Sequence, residues 1–224
     1  MRRLLVKITP GILWVLFYVL LALMSGCASL TSVQAPGTGA GRASLFDGRT
    51  LAGWKVTDFR GHGAVHCESG TVVLDKGTRL TGITWTNEPP KRNYEIEFDA
   101  MRVAGSDFFC GLTFPVGDAH CSLILGGWGG EIVGISSINT DDASDNQTTS
   151  LIQFDSGKWY HVRLKVTDDK IEAWLDDRKI VDLETTGLKI TMRPGEIELS
   201  QPLGLATWKT TGALRNISLR RGIK

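Results

Sequence analysis

Residues 94–103 read Tyr-Glu-Ile-Glu-Phe-Asp-Ala-Met-Arg-Val, and this stretch gives the clearest indication of the fold class. Its apolar members (Tyr94, Ile96, Phe98, Ala100) alternate with Glu95, Glu97, Asp99 and Met101. Side chains of a strand point to opposite faces in turn, so the alternation predicts a strand that has one face against a core. The other face carries three carboxylates.

The chain from Leu45 onward continues as short segments separated by Gly, Asn, Asp or Pro. Residues 108–114 form an apolar run closed by Pro115, which predicts a mid-sheet strand covered on both faces. The pair Asp176-Asp177 indicates a tight hairpin. Further strands are expected at 121–125, 132–138, 161–166, 170–175, 179–181, 196–200, 203–207 and 213–219. The pattern predicts an all-β sandwich of two antiparallel sheets, without a second domain or a substantial helix.

Composition and motifs exclude several function classes. The chain has 25 Lys and Arg against 24 Asp and Glu, so its charge gives no reason to expect a nucleic-acid partner. GxSxG, HExxH, P-loop and dinucleotide-binding patterns do not occur. The acidic loop residues Asp141, Asp142 and Asp145 lack the DxDxDG spacing of a calcium loop, so we interpret them as solvent-facing.

The N-terminus has the features of an export signal. Arg2, Arg3 and Lys7 precede an apolar stretch at 12–23, which ends at Met24-Ser25-Gly26-Cys27. This order predicts a lipoprotein signal peptide at 1–26, cleaved before a lipid-modified Cys27. An uncleaved membrane anchor is the alternative. The expected location is the cell envelope, with the lipid anchor in the outer membrane and the domain facing the periplasm or the cell surface.

The residues after Cys27 divide into a tether and a domain. Residues 27–42 are rich in Ser, Thr, Gly, Pro and Ala and predict a flexible tether. Residues 43–224 form the predicted β-sandwich domain. Its three cysteines (Cys67, Cys110, Cys121) permit at most one disulfide, and we expect buried or weakly paired thiols.

Five segments of this domain resemble one known family. They are Ser-Leu-Phe-Asp-Gly-Arg-Thr-Leu-Ala-Gly-Trp at 44–54, the acidic strand at 94–99, Gly-Lys-Trp-Tyr at 157–160, Trp-Leu-Asp-Asp-Arg-Lys-Ile-Val at 174–181 and Leu-Arg-Asn-Ile-Ser-Leu at 214–219. In this order they resemble the DUF1080 family, the 3-keto-disaccharide hydrolase domain, over about residues 44–221. The resemblance implies a concanavalin A-like jelly roll that acts on 3-keto-glycosides.

The chemistry implied by the resemblance is elimination followed by hydration. A ketone at C3 acidifies the hydrogen on C2, so a base can remove it and the C1 substituent can leave. Such a site needs a carboxylate or His base and donors for the enediolate oxygens, and a divalent metal held by oxygen ligands is one way to supply charge. Many relatives carry a YEVQILD-like strand at the position where residues 120–126 read His-Cys-Ser-Leu-Ile-Leu-Gly. The acidic and amide side chains of that family strand are therefore absent here, and His120 remains as a candidate.

The acidic row on the 94–103 strand supplies the first candidate site residues. Glu95 and Asp99 match the acidic positions of the family strand and are candidate catalytic residues, with Glu97 as a candidate substrate ligand. If this face forms a cleft, neighbouring carboxylates can raise one another's pKa toward the range of a general base. The alternative is an ordinary solvated outer face of an antiparallel sheet.

Three further candidates lie outside that strand. Asp107 precedes the buried strand and is a candidate catalytic residue or a turn cap. His120 is a candidate base or metal ligand, or a plain hydrogen-bonded side chain. Trp128 stands among four glycines at 126–130 and can stack on a sugar ring.

Two functions of different classes follow. The first is an envelope enzyme that cleaves 3-keto-glycosides. The second is a non-catalytic module that binds glycans or another surface. Carboxylates and His converging in one pocket favour the enzyme, and a shallow aromatic groove without them favours the binder.

Overall fold

The computed structural model describes residues 41–223 as an all-β domain. Its strands are β1 (Arg42–Ser44), β2 (Trp54–Val56), β3 (Val65–Glu68), β4 (Thr71–Leu74), β5 (Leu80–Trp85), β6 (Tyr94–Ala104), β7 (Cys110–Val116), β8 (Ala119–Gly127), β9 (Ile132–Ser136), β10 (Ser150–Leu151), β11 (Trp159–Val166), β12 (Lys170–Leu175), β13 (Arg178–Glu184), β14 (Gly204–Trp208) and β15 (Thr211–Arg221). A single turn of 3₁₀ helix, η1, spans Glu196–Ser200. The predicted all-β class is confirmed.

Two antiparallel sheets form the sandwich. Sheet A has the order β13-β12-β11-β6-β15-β4-β3, with β1 paired to β15. Sheet B has the order β10-β9-β8-β7-β14-β5-β2. This arrangement is consistent with the expected concanavalin A-like jelly roll. Two hairpins in succession place β11, β12 and β13 side by side at one edge of sheet A, with the turn predicted at Asp176-Asp177.

The core lies between the inner faces of the sheets. Tyr94, Ile96, Phe98 and Ala100 of β6 are at most 1% exposed, as the alternation predicts. The buried hydroxyl of Tyr94 donates a hydrogen bond of 2.5 Å to the carbonyl oxygen of Pro115. This bond joins the central strand of sheet A to sheet B and satisfies a polar group that burial would otherwise penalise.

Strand β7 lies mid-sheet between β8 and β14, as predicted, but it does not end at Pro115. It continues to Val116, with Pro115 opposite His120 of β8. β14 pairs only with residues 111–113 of β7, so the ladder on that side ends before the proline. The strand can therefore include a residue that has no N–H group.

The strand predicted at 196–200 is wrong, because these residues form η1. The Glu198 amide donates to the Gly195 carbonyl (3.1 Å), and the Gln201 amide donates to the Glu198 carbonyl (3.2 Å). Local turn bonds thus take the place of a strand ladder. Gly195 enters the turn at φ 130°, where a residue with a side chain would be strained.

The cysteines of the domain are free thiols. Cys110 and Cys121 are buried, as expected, and Cys67 is half-buried. Burial raises the pKa of the Cys110 and Cys121 thiols, which keeps them protonated and unreactive.

The predicted signal peptide, the lipid site at Cys27 and most of the tether lie outside the described residues. β1 begins at Arg42, one residue before the predicted start of the domain. Within residues 41–223, no helix has the length and hydrophobicity that a membrane span requires.

Candidate functional site

A cleft of about 400 Å³ opens on the outer face of sheet B. Ser122 and Ile124 form part of its floor, and they alternate along β8 with the core residues Leu123 and Leu125. The full lining is Arg79, Leu80, Asp107, Phe108, Ser122, Ile124, Trp128, Ser136, Arg193, Pro194, Gly195, Glu196, Ile197 and Trp208. The cleft therefore combines aromatic walls with carboxylates, hydroxyls and guanidinium groups.

Trp128 forms one wall, in the glycine-rich turn after β8. Its side chain is 43% exposed, and its backbone is in the left-handed region at φ 48°. Gly126 (φ 76°) and Gly130 (φ 116°) flank it. A Cβ on Gly126 would lie 2.5 Å from Nη2 of Arg102, so both the conformation and the close contact require glycine there.

Arg102 of β6 ties the Trp128 turn to the loop that carries Asp107. Its Nη2 donates to the Gly130 carbonyl (2.8 Å) and to the Asp107 carbonyl (3.4 Å), and its Nη1 donates to the Phe154 carbonyl (3.3 Å). The side chain is buried, and this burial lowers the pKa of Arg102 without depriving the guanidinium of its charge at neutral pH. Arg102 is therefore an internal clamp beneath two loops of the cleft.

Asp107 lines the cleft and also caps its own turn. Its Oδ1 accepts a hydrogen bond from the Phe108 amide (2.7 Å), and its amide donates to Oγ1 of Thr210 (3.1 Å). The turn cap raised by the sequence is therefore present, and the catalytic role of Asp107 stays a prediction. The turn cap uses Oδ1, which leaves Oδ2 as the oxygen that can meet a ligand.

Arg193 approaches Trp128, with its guanidinium carbon 5.5 Å from the ring centroid. Its Nη1 pairs with Oδ2 of Asp142 at 3.0 Å, and Oδ1 of Asp142 accepts hydrogen bonds from Ser136 (3.1 Å) and Ser137 (3.0 Å). The interpretation of Asp142 as a solvent-facing loop residue is therefore wrong. Its carboxylate anchors an arginine of the cleft.

The opposite wall consists of Arg79, Trp208 and Glu196. The guanidinium carbon of Arg79 lies 5.6 Å from the Trp208 ring centroid. The Oε2 atom of Glu196 is buried and has no hydrogen-bond partner among the described residues. Buried polar atoms normally have a partner, so an unpaired carboxylate oxygen in a cleft points to a ligand.

The acidic row lies on the other sheet. Glu95, Glu97 and Asp99 are on the outer face of sheet A, opposite to the core residues of β6. Glu95 is only 3% exposed and pairs with Arg220 (2.9 Å) and with Arg42 (3.3 Å). The structure thus does not bring these acids together with Asp107 and Trp128, and their roles in catalysis and substrate binding stay predictions.

Glu97 and Asp99 also have local partners. Glu97 pairs with Arg42 and lies 3.9 Å from Nε2 of His161. Asp99 accepts hydrogen bonds from His161 (3.0 Å), Arg215 (3.0 Å) and Asn216 (2.8 Å). Partial burial acts to raise the pKa of Asp99, but these three hydrogen bonds outweigh it and hold the pKa below its usual value.

This depressed pKa predicts a pH dependence of stability. Ionised Asp99 stabilises the fold above its unfolded pKa of about 3.9, and the stabilisation is lost as the pH falls through the lower folded pKa. Urea unfolding of the wild type and of Asp99→Asn should therefore differ at neutral pH, and the difference should shrink below about pH 4. A difference that stays constant down to about pH 2 would contradict this assignment.

His120 is half-buried near the start of β8, two residues before Ser122 and on the same outer face of sheet B. It is not among the residues that line the cleft. Burial and, to a lesser extent, the charge of Lys91 lower the pKa of His120, so the ring is neutral at physiological pH. A neutral imidazole can accept a proton, and its predicted role as a base is untested.

The described residues do not supply a ligand set for the divalent metal that the family resemblance raised. Within residues 41–223, no group of three or more His, Cys, Asp or Glu side chains is arranged to hold a metal ion. The carboxylates of the cleft, Asp107 and Glu196, fall short of the several oxygen ligands that a divalent cation takes. We therefore derive no chemical step through a metal.

Sequence reasoning missed Arg79, Arg193 and Glu196, and it left Trp208 without a role. These residues come from three separate segments, because Arg193 and Glu196 share one loop, and none belongs to a motif. Arg79 directly precedes β5, and Trp208 ends β14, which is the neighbour of β5 in sheet B. The loop with Arg193 and Glu196 lines the same cleft.

The fold is an all-β sandwich of two antiparallel sheets, and its cleft lies on the outer face of sheet B. The chain belongs to the family of 3-keto-alpha-glucoside-1,2-lyase-like domains, whose model matches residues 41–220. The resemblance noted in the sequence is thereby confirmed. None of the curated proteins matches this chain.

Solved structures share the fold at low sequence identity. A candidate glycosyl hydrolase from Parabacteroides distasonis has a TM-score of 0.52 and 13% identity, with 81% of this chain and 94% of that chain covered. The carbohydrate-binding module CBM66 from Bacillus subtilis has a TM-score of 0.51 and 16% identity, with 75% of this chain and 95% of that chain covered. A candidate beta-glucanase from Mycobacterium abscessus has a TM-score of 0.50 and 12% identity, with 80% of this chain and 98% of that chain covered. These likenesses establish the fold alone.

Proposed function

We infer that this protein cleaves 3-keto-glycosides in the sheet B cleft, by removal of the C2 proton and elimination of the C1 substituent. Family membership supports the substrate class. The observation that carries the inference is the cleft, in which two carboxylates share one lining with Arg79 and Arg193. One of them is Glu196, whose Oε2 has no partner within residues 41–223, and the other is Asp107.

The reaction needs a base, an oxyanion partner and a protonated leaving group. The base takes the C2 proton, and the C2–H electrons form an enediolate across C2 and C3. The ketone then re-forms as the C1–C2 double bond forms and the C1–O bond breaks. Water adds across that double bond, with hydroxide to C1 and a proton to C2, so the net reaction is hydrolysis.

The cleft residues can divide these tasks. Asp107 and Glu196 are the carboxylates available as base and as proton donor, and Arg79 and Arg193 are the cations available to the enediolate oxygen. Trp128 and Trp208 offer apolar ring surface at the walls. Because Asp142 fixes Arg193 at 3.0 Å, that guanidinium is positioned before a ligand arrives.

A chromogenic 3-keto-glucoside tests the proposal directly. The purified full chain should release its aglycone with the 3-keto compound and should leave the parent glucoside intact, because only the ketone acidifies the C2 hydrogen. Deuterium at C2 should slow the release if proton removal limits the rate. Equal cleavage of the parent glucoside, or no turnover of the 3-keto compound, would refute this reaction.

Non-catalytic glycan binding is the second candidate. It is favoured by the exposed ring of Trp128, which needs no reaction to hold a sugar. Saturable binding of a glucoside that is lost in Trp128→Ala, together with absence of turnover, would select this function.

The proposal includes export and lipidation at Cys27, which rest on the sequence alone. In cells fed a radiolabelled fatty acid, the wild-type chain should carry the label and fractionate with membranes. Cys27→Ser should carry none, because it has no thiol to acylate. Label on the variant would contradict attachment at Cys27.

A further inference from the structure

A second depression, of about 490 Å³, lies on the outer face of sheet A. Its lining is Glu95, Arg163, Lys165, Glu172, Trp174, Arg220, Arg221, Gly222 and Ile223. Four of these side chains are cationic and two are carboxylates, so the depression has an excess of positive charge. Such an excess attracts an anionic ligand.

The floor of this depression is a carboxylate shared among arginines. Glu95 accepts from Arg220 at 2.9 Å and lies 3.6 Å from Nη1 of Arg163, while Arg42 approaches it at 3.3 Å. A guanidinium has five N–H donors, and Glu95 alone cannot satisfy both Arg220 and Arg163. Arg42 pairs separately with Glu97. The Nε atom of Arg220 is buried and has no partner in the described part of the chain. N–H groups of Arg163 and Arg220 therefore remain available to a ligand in this depression.

Trp174 holds one of these arginines in place. The guanidinium carbon of Arg163 lies 3.8 Å from the Trp174 ring centroid, which is stacking distance. Stacking restrains the flat group, so less conformational freedom is lost when its N–H edge meets a carboxylate. A planar fork of this kind fits a carboxylate through two parallel hydrogen bonds.

We propose that this depression binds the carboxylate of an acidic saccharide, as in a uronic acid residue. Two of the four cations are recessed, with Lys165 24% exposed and 3.6 Å from Glu172, and Arg163 37% exposed, whereas Arg221 lies at the exposed rim. A carboxylate that projects from a sugar chain reaches such groups, whereas a flat anionic bilayer does not. This site is separate from the sheet B cleft and independent of the reaction proposed there.

Binding of a short oligogalacturonate to the full chain, measured by calorimetry, tests the proposal. The wild type should bind it and should not bind a neutral maltooligosaccharide of equal length. Lys165→Gln and Arg221→Gln should each weaken binding roughly tenfold, because each removes a charged donor. Lys55→Gln is the matched control, since Lys55 is an exposed lysine on β2 of sheet B.

The outcomes separate clearly once thermal unfolding shows that each variant is folded. Oligogalacturonate binding that weakens in both depression variants, keeps its strength in Lys55→Gln and declines with added salt supports the site. Absence of uronate binding, equal loss in Lys55→Gln, or binding to anionic lipid vesicles in place of the saccharide would overturn it.

Discussion

Glu196→Gln should lower kcat/KM on a 3-keto-glucoside by at least about 100-fold, because a positioned general base or acid contributes a factor of this size. Glutamine keeps the shape of the side chain but cannot exchange a proton. The Oε2 atom of Glu196 is buried and unpaired in the described domain, so no internal hydrogen bond is lost with the change. Asp107→Asn should have a comparable effect if the two carboxylates act as a pair.

Glu198→Gln is the matched control. Glu198 is an exposed member of the same 3₁₀ turn and does not line the cleft, so turnover should stay within about twofold of wild type. Comparable loss in both variants would show that the turn, and not the carboxylate of Glu196, matters.

The same assay tests whether the residues predicted from the sequence outside the cleft take part in catalysis. Glu95→Gln, Asp99→Asn and His120→Ala place an uncharged or shortened side chain at each predicted position outside the cleft. A loss as large as that of Glu196→Gln in one of them, with the fold intact, would move the chemistry away from the sheet B cleft. Retained turnover would limit the acids of β6 to binding or to the stability of sheet A.

Arg102→Ala should destabilise the protein by about 3 kcal/mol, because it leaves buried carbonyls without their charged donor. The Gly130 and Phe154 carbonyls accept from this guanidinium at 2.8 Å and 3.3 Å. The change also opens space beside Phe109, whose ring centroid lies 5.3 Å from the guanidinium carbon. The free energy of unfolding from urea titration gives the measurement.

A second readout separates the clamp from a general packing role. Since Arg102 joins the Trp128 turn to the Asp107 loop, its loss should also reduce ligand affinity at temperatures where the variant remains folded. Arg60→Ala, an exposed arginine, should change stability by less than about 0.5 kcal/mol. A similarly small change in Arg102→Ala would refute the clamp.

Most strands from residue 94 onward could be predicted from the chain alone, because strand periodicity is a local property, whereas β1–β5 and β10 were not assigned individually. The alternation at 94–103 marked the central strand of sheet A and its buried face, and Asp176-Asp177 marked a hairpin. The segment at 196–200 was misassigned because its pattern also suits a short turn, and local hydrogen bonds after Gly195 decide between the two.

Local patterns in the chain were enough to establish the all-β class, the family and the core-facing residues of the central strand β6. They could not determine which outer face bears the cleft, because period-two alternation separates inside from outside in each sheet and says nothing about how loops of distant strands meet. Arg79, Asp107, Trp128, Arg193 and Glu196 converge on sheet B only through strand order and loop anchoring by Arg102 and Asp142. The cleft could be found only from the folded chain, because its residues are neighbours in space and not in the sequence.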